Sequence, residues 1–318
     1  MRLVLMGSPA FALPTLEALL ATGHELVAVV TQPDRPAGRG RAPQAPAVKV
    51  AALEHGLRLL QPENVSAPDS VEALRALEPD VFVVAAYGQI LRQRLLDVPK
   101  QGSLNVHASL LPRHRGAAPV AAAILAGDSV TGVSIMEVVR ALDAGPVVAR
   151  YEEPILPYDT TGTLEERLAA GGARLLAEVL DAWAAGDLPA RPQDEGLVSY
   201  APQIKRDDAR LDWSLPAIDL WRRVRAFNPW PVAFSSAGGE ELRIWESYPL
   251  EGDSGLPPGT VLPVEELPPE ARSEASFSVQ CGAGRLAVLR AQRPGKRALG
   301  GSELLRGLPR LVGSRLGT

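Results

Sequence analysis

The first half of the chain alternates short apolar runs with helical repeats, and that alternation limits what it can fold into more than any other feature. The runs cover residues 2–7, 25–31, 57–61, 80–88, 102–108 and 132–139, and most are continuous in Val, Ile, Leu and Ala. Continuous apolarity is what a strand needs when helices cover both faces of a parallel sheet. Between and after the runs, apolar residues recur at helical spacing. Phe11, Leu16, Leu19 and Leu20 do so in 11–21, and Leu164, Leu168, Leu175, Leu176, Val179 and Leu180 do so in 163–186. The pattern predicts an α/β domain with a doubly wound, mostly parallel, Rossmann-like sheet. Ligands of such sheets sit outside the carboxyl ends of the strands.

The second half reads differently. Residues 188–196 are polar and Pro-containing, and 200–208 continue that character, which divides the chain into a domain at 1–187, a linker at 188–205 and a second domain at 206–318. One amphipathic helix at 216–227 is followed by β-like segments at 241–248, 260–264, 276–281 and 285–290, separated by Gly and Pro, as in a small barrel. The Pro-rich stretch 256–269 reads as a surface excursion, and no internal repeat is present. A chain of 318 residues suits two domains. The single Cys281 cannot form an intramolecular disulfide, so a reducing compartment is expected. The N-terminus enters a strand without signal-peptide features, and no apolar run approaches the ~20 residues of a membrane span, so the expectation is a cytoplasmic protein.

Chemistry concentrates in Gly102-Ser103-Leu104-Asn105-Val106-His107-Ala108-Ser109-Leu110-Leu111-Pro112. Alternate residues of a strand point the same way, so Asn105 and His107 project together before Pro112 ends the pairing. An amide and an imidazole aimed at one point suit oxyanion stabilisation and proton movement, the two demands of acyl or formyl transfer. After the run at 132–139 comes Leu142-Asp143-Ala144-Gly145-Pro146, a carboxylate in a Gly/Pro turn. The turn Gly7-Ser8-Pro9 lacks the G-x-G-x-x-G fingerprint, which argues against a nicotinamide enzyme. His24, His55 and His114 have no metal-ligand spacing.

Two further segments point to a polyanionic partner. Residues 32–46 carry four Pro, two Gly and three Arg, a composition that cannot form a packed core element, and a long loop of this kind inside a compact domain is usually functional. The formal charge of −4 hides a balance of −6 before Lys205 and +2 from there onward. Within 285–315, eight basic residues meet one acid, Glu303. Such clusters often contact phosphates, although a solvated basic face has the same composition.

The order N-V-H-x-S-L-L-P then L-D-x-G-P resembles the folate-dependent formyltransferases. The resemblance implies that Asn105, His107 and Asp143 are catalytic. It extends over the whole chain to the branch that formylates charged initiator tRNA, through residues 31–41, 225–231 and 293–307. It implies an OB-like C-terminal domain, 10-formyltetrahydrofolate as formyl donor and initiator methionyl-tRNA as acceptor; nothing in the sequence calls for a metal, and a monomer is expected. It places folate against Ser109, Leu110, Leu111 and Pro112 and against Gly88, Gln89, Ile90 and Leu91. It assigns tRNA contacts to Arg35, Arg39 and Arg41 and to Lys205, Arg206, Arg293, Lys296 and Arg297. Ala10 stands where many members carry Asp, so any contact made by that Asp is absent here. Two alternatives remain at this point. A related formyltransferase acting on a nucleotide-sugar or ribotide amine would keep the trio but have no use for the Arg-rich loop and the late basic excess. An inactive RNA-binding homologue would explain the basic residues but not the intact trio.

Overall fold

A computed structural model describes residues 1–37, 42–264, 267, 269–271 and 277–317. The chain forms two compact units, one of Met1–Pro119, Val130–Pro154 and Glu165–Ala201, the other of Val120–Ser129, Ile155–Leu164 and Pro202–Thr318.

The first unit is built on a seven-stranded sheet. Its strands are β1 (Arg2–Gly7), β2 (Glu25–Val30), β3 (Leu59–Leu60), β4 (Val81–Ala85), β5 (Ser103–His107), β6 (Val130–Glu137) and β7 (Val147–Pro154). They lie in the order β3-β2-β1-β4-β5-β6-β7. The first five are parallel, and β6 runs antiparallel to both of its neighbours, β5 and β7, so that β7 points the same way as the first five. All five residues of β4 are buried, which explains its unbroken apolar sequence. The apolar pattern anticipates six strands and misses β7, where Arg150, Glu152 and Glu153 interrupt it. These charges suit a strand at the sheet edge.

Helices α1 (Leu13–Ala21), α2 (Ala47–Glu54) and α3 (Pro68–Arg75) follow β1, β2 and β3. Pro14 sits in the first turn of α1, where no backbone donor is needed, and the helix buries Leu16 and Leu19. In α3, Val71 and Leu74 face inward, with Asp69 in the first turn and Arg75 in the last, both matched to the helix dipole. Strand order reverses direction between β1 and β4, so the carboxyl ends of these strands form the crevice in which doubly wound sheets bind ligands. Ser8 and Gln32 are tied to the Tyr87 carbonyl there, at 3.3 and 3.2 Å.

Part of the loop at 32–46 is ordered by pairing: Arg35–Ala37 forms a short antiparallel ladder with Ala42–Gln44. Asp34 anchors its base through Lys49 at 2.8 Å and Gln61 at 2.9 Å, and these bonds hold the Asp34 carboxyl below the ordinary range. Arg39 and Arg41 lie outside the described residues.

The second unit holds α4 (Pro119–Ala126) except for its first residue, the first turn of α5 (Thr161–Ala185), and α6 (Ala217–Ala226). Its antiparallel strands are β8 (Ala233–Ala237), β9 (Glu240–Leu250), β10 (Val261–Leu262), β11 (Phe277–Gln280), β12 (Arg285–Gln292) and β13 (Leu299–Gly300), followed by α7 (Gly301–Arg306). The order is β8-β9-β12-β11-β10, with β13 also on β12. The Val261 N–H donates to the Ser314 carbonyl and the Leu316 N–H to the Gly259 carbonyl, tying the C-terminal segment along β10 of what is a curled, OB-like half-barrel. Leu220 and Val224 of α6 plug its core against Val261, Phe277, Val279, Leu286 and Val288.

Candidate active site

Asn105 and His107 leave the same face of β5, opposite Met136 and Ser134 of β6. His107 is 6% exposed. Its Nε2 lies 3.1 Å from the His114 carbonyl oxygen, and since a carbonyl only accepts, Nε2 carries a hydrogen. In the neutral ring the basic nitrogen is then Nδ1, which faces Asp143 Oδ2 at 3.7 Å. Burial pushes the His107 pKa below the ordinary imidazole value. The Asp143 charge and the His114 carbonyl oppose that shift, and the His114 ring adds to it. Burial thus favours the neutral ring, with its Nδ1 lone pair beside a carboxylate able to stabilise the protonated form. The Asn105 side chain is half-buried and makes no hydrogen bond to the described residues.

Asp143 adopts a left-handed backbone, φ +46°, which Asp tolerates better than most residues. Its Oδ2 accepts the Gly116 N–H at 2.8 Å. Gly116 has φ +125°, and a Cβ there would stand 2.5 Å from the Ala201 carbonyl, so only Gly allows Arg115–Gly116 to pair with Tyr200–Ala201 this closely. Residues 191–201, which read from composition as a linker, thus strap the site from within the first unit. Gln193 donates to the Asp143 and Gly145 carbonyls, and Ser199 Oγ accepts the His114 N–H.

The turn after β5 is set by Ser134, whose Oγ donates to the Ser109 carbonyl at 2.8 Å and accepts the Leu111 N–H at 3.0 Å. Ser109 donates its own hydroxyl to the Arg113 carbonyl, and Ser109, Leu111 and Pro112 are buried. Leu110 packs over Gly132. The segment after β4 is more open: Ile90 is 83% exposed, and Leu91 packs inward. Gly88 turns at φ +85°, and Gln89 is fixed by the Val65 N–H and the Pro62 carbonyl. Since β4 and β5 are parallel neighbours, this segment and the Asn105–His107 end of β5 share the carboxyl edge.

A model for formyl transferases matches residues 1–180, and one for the C-terminal domain of formyl transferases matches 203–309. The methionyl-tRNA formyltransferase of Methylococcus capsulatus is 48% identical over 318 residues, covering all of both chains. That of Bacillus subtilis is 42% identical over 316 residues, covering 99% of this chain and 98% of its own. The chain belongs to the methionyl-tRNA formyltransferase family.

The fold is shared more widely. WlaRD, a sugar 3N-formyl transferase solved with dTDP and 5-N-formyl-THF, superposes with TM-score 0.65 at 18% identity, covering 93% of this chain and 99% of its own. HypX from Aquifex aeolicus, solved with tetrahydrofolic acid, gives 0.62 at 20% identity over 98% of this chain and 48% of its own.

Among the basic residues that the tRNA-formylating resemblance singles out, Arg35 meets Glu63 at 3.0 Å and Arg293 meets Glu240 at 3.2 Å. Arg206 pairs with Glu241 over the Phe234 ring, and Arg297 pairs with Glu303. Lys296 is exposed, and the Lys205 backbone N–H donates to Asp208 Oδ2 at 2.7 Å. His114, Arg115, Gln193 and Ser199, which build the site, were not anticipated as site residues. The one local signal is Arg113-His114-Arg115, a charged triplet of which the last two residues are buried. No helix among the described residues is long and apolar enough to cross a membrane, and none of them form a group of three or more His, Cys, Asp or Glu able to hold a metal ion.

Proposed function

We propose that the chain transfers the formyl group of 10-formyltetrahydrofolate to the α-amine of methionine esterified to initiator tRNA, giving N-formylmethionyl-tRNA. The observation that carries this reading is the convergence of Asn105, His107 and Asp143 at the carboxyl edge of the sheet, in a chain 48% identical end to end to a methionyl-tRNA formyltransferase.

The residues present fit a folate. Ile90 offers apolar area that a flat ring would cover, and the Asn105 amide has no hydrogen-bond partner among the described residues. The segment Gly88–Leu91 would hold the donor, with Ser109–Pro112 fixing the floor. The bound donor supplies an activated formyl carbon. Asn105 donates its N–H to the formyl oxygen as that oxygen gains charge, an interaction stronger at the barrier than before it. His107 Nδ1 takes the proton from the attacking nitrogen, directly or through water, and Asp143 stabilises the resulting imidazolium; as the formyl carbon–N10 bond breaks, that proton passes to the departing folate nitrogen and tetrahydrofolate leaves. His107 Nε2 stays engaged with the His114 carbonyl, so the ring does not swing during transfer.

For tRNA, the reading assigns the loop containing Arg35, Arg39 and Arg41 to the acceptor end. It assigns Lys205, Arg206, Arg293, Lys296 and Arg297 to the backbone. The ion pairs of Arg206, Arg293 and Arg297 are surface pairs worth at most about 1 kcal/mol, which a phosphate can displace. The test is formyl transfer from 10-formyltetrahydrofolate to charged initiator tRNA, uncharged tRNA and dTDP-linked amino sugars. Transfer to the charged tRNA alone is expected, and preference for an amino sugar would overturn the assignment.

A further inference from the structure

We infer that Gln193 is a positioning residue for formyl transfer: its amide clamps the Asp143–Gly145 turn to the Arg115 guanidinium and so sets where the Asp143 carboxylate stands beside His107 Nδ1. This rests on the reading of His107 and Asp143 as the pair that handles the proton.

The amide is saturated and cannot flip. Nε2 donates to the Asp143 carbonyl at 2.7 Å and the Gly145 carbonyl at 2.8 Å. Oε1 accepts from Arg115 Nε at 3.1 Å and Nη2 at 2.9 Å. Carbonyls only accept and a guanidinium only donates, so one orientation satisfies all four bonds and the reverse satisfies none. The root of Gln193 is fixed as well, because Arg191 and Val147 exchange both backbone hydrogen bonds, at 2.8 and 2.9 Å.

Arg115 lies between the two residues that hold the proposed catalytic pair. The His114 carbonyl holds His107 Nε2, and the Gly116 N–H holds Asp143 Oδ2. Gln193 closes this circuit by joining Arg115 back to the turn that carries Asp143. That turn needs external support, because Asp143 occupies a left-handed conformation that persists only where its surroundings impose it. Without the clamp, Asp143 keeps the Gly116 bond, but the main chain that aims it is released.

The groups acting on His107 are Asp143, the His114 carbonyl and the His114 ring. Arg115 directs its charge to Glu195, at 2.7 Å, and to Gln193. Asp143 supports the protonated form of His107, so moving it away lowers the pH at which His107 takes up a proton. A residue that merely stiffened the strap would alter thermal stability and the active fraction, but not that pH.

The experiment uses the full chain carrying Gln193→Met, which keeps the length and removes all four bonds, and Gln193→Asn, which keeps the amide but leaves it one methylene short. Formyl transfer to charged initiator tRNA is measured across pH with the active fraction titrated, and the His107 ring is followed by NMR, its signal assigned by loss in His107→Asn. Both variants are expected to lose about 10- to 100-fold in kcat, with KM for each substrate within about threefold. The acid limb and the His107 titration should move to lower pH, in the direction produced by Asp143→Asn. A Gln193→Asn chain with parental kcat and an unmoved limb overturns the inference, whether or not Gln193→Met folds. If Asp143→Asn itself keeps the parental rate and limb, the proton-pair reading fails and takes this inference with it. If Asp143→Asn loses both while the Gln193 variants do not, only the inference about Gln193 falls.

Discussion

Replacing Asn105 by Ala should separate catalysis from stability more cleanly than any other change in this chain. The amide makes no hydrogen bond to the described residues, so its removal forfeits none of the 0.5–1.5 kcal/mol that a folded-state bond contributes on average. The backbone of β5 stays paired to β4 and β6, and the expected change in unfolding free energy is under about 1 kcal/mol, a shift of roughly 2–4 °C or less. Transfer should behave otherwise. Loss of a donor aimed at a developing oxyanion costs about 10²–10³ in rate, or about 2.7–4 kcal/mol. Asn105→Asp should cost more, because a carboxylate cannot donate and would repel the charge. The assay is single-turnover transfer with both substrates saturating, beside thermal unfolding of the same preparations. A rate within about threefold of the parent refutes the role of Asn105, and a large loss of stability shows that the amide serves the fold.

Asp143→Asn should lower the rate by at least ~10²-fold and move the acid limb of the pH–rate profile downward, because the charge that raises the His107 pKa is gone while the burial that lowers it remains; an upward shift contradicts this. Folding stability should also fall as pH drops below about 6.5, where the unfolded chain binds a proton that buried His107 resists, and His107→Asn should remove part of that dependence in denaturant titrations. Gly116→Ala would set a Cβ 2.5 Å from the Ala201 carbonyl at φ +125° and should destabilise the chain by about 1–3 kcal/mol while loosening Asp143, as measured by urea unfolding and activity together. Replacing Arg293, Lys296 and Arg297 together by Ala should flatten the slope of log tRNA affinity against log salt by roughly 2–3, at about 0.7–0.9 per phosphate contact, and an unchanged slope moves the tRNA anchor elsewhere.

Legibility in the sequence followed how local the determinants are. The central strands are apolar because both of their faces are buried, so β1 and β4 could be read from composition within a few residues. Asn105 and His107 were visible because two residues of one strand share a face whatever the rest of the chain does. β7 was not visible, since an edge strand carries charge like a loop. The strap at 191–201 was misleading for a related reason: its Pro, Gln, Asp and Glu look like a linker, yet those polar groups are what bind it down. Gln193 reaches Arg115 across 78 positions and Asp143 across 50, and no local pattern encodes such a contact. His114 was legible as a residue type, but the contact that fixes His107 Nε2 comes from its backbone carbonyl, which any residue could supply.

In this account His107 moves the amine proton, while Asn105 and Asp143 stabilise the charges that develop. Single-turnover formyl transfer to charged initiator tRNA by His107→Asn, with the affinity for tetrahydrofolate measured on the same preparation, tests it most directly. The expected result is a rate at least ~10²-fold below the parent with folate affinity unchanged. A parental rate, or a loss that follows folate affinity alone, would contradict it.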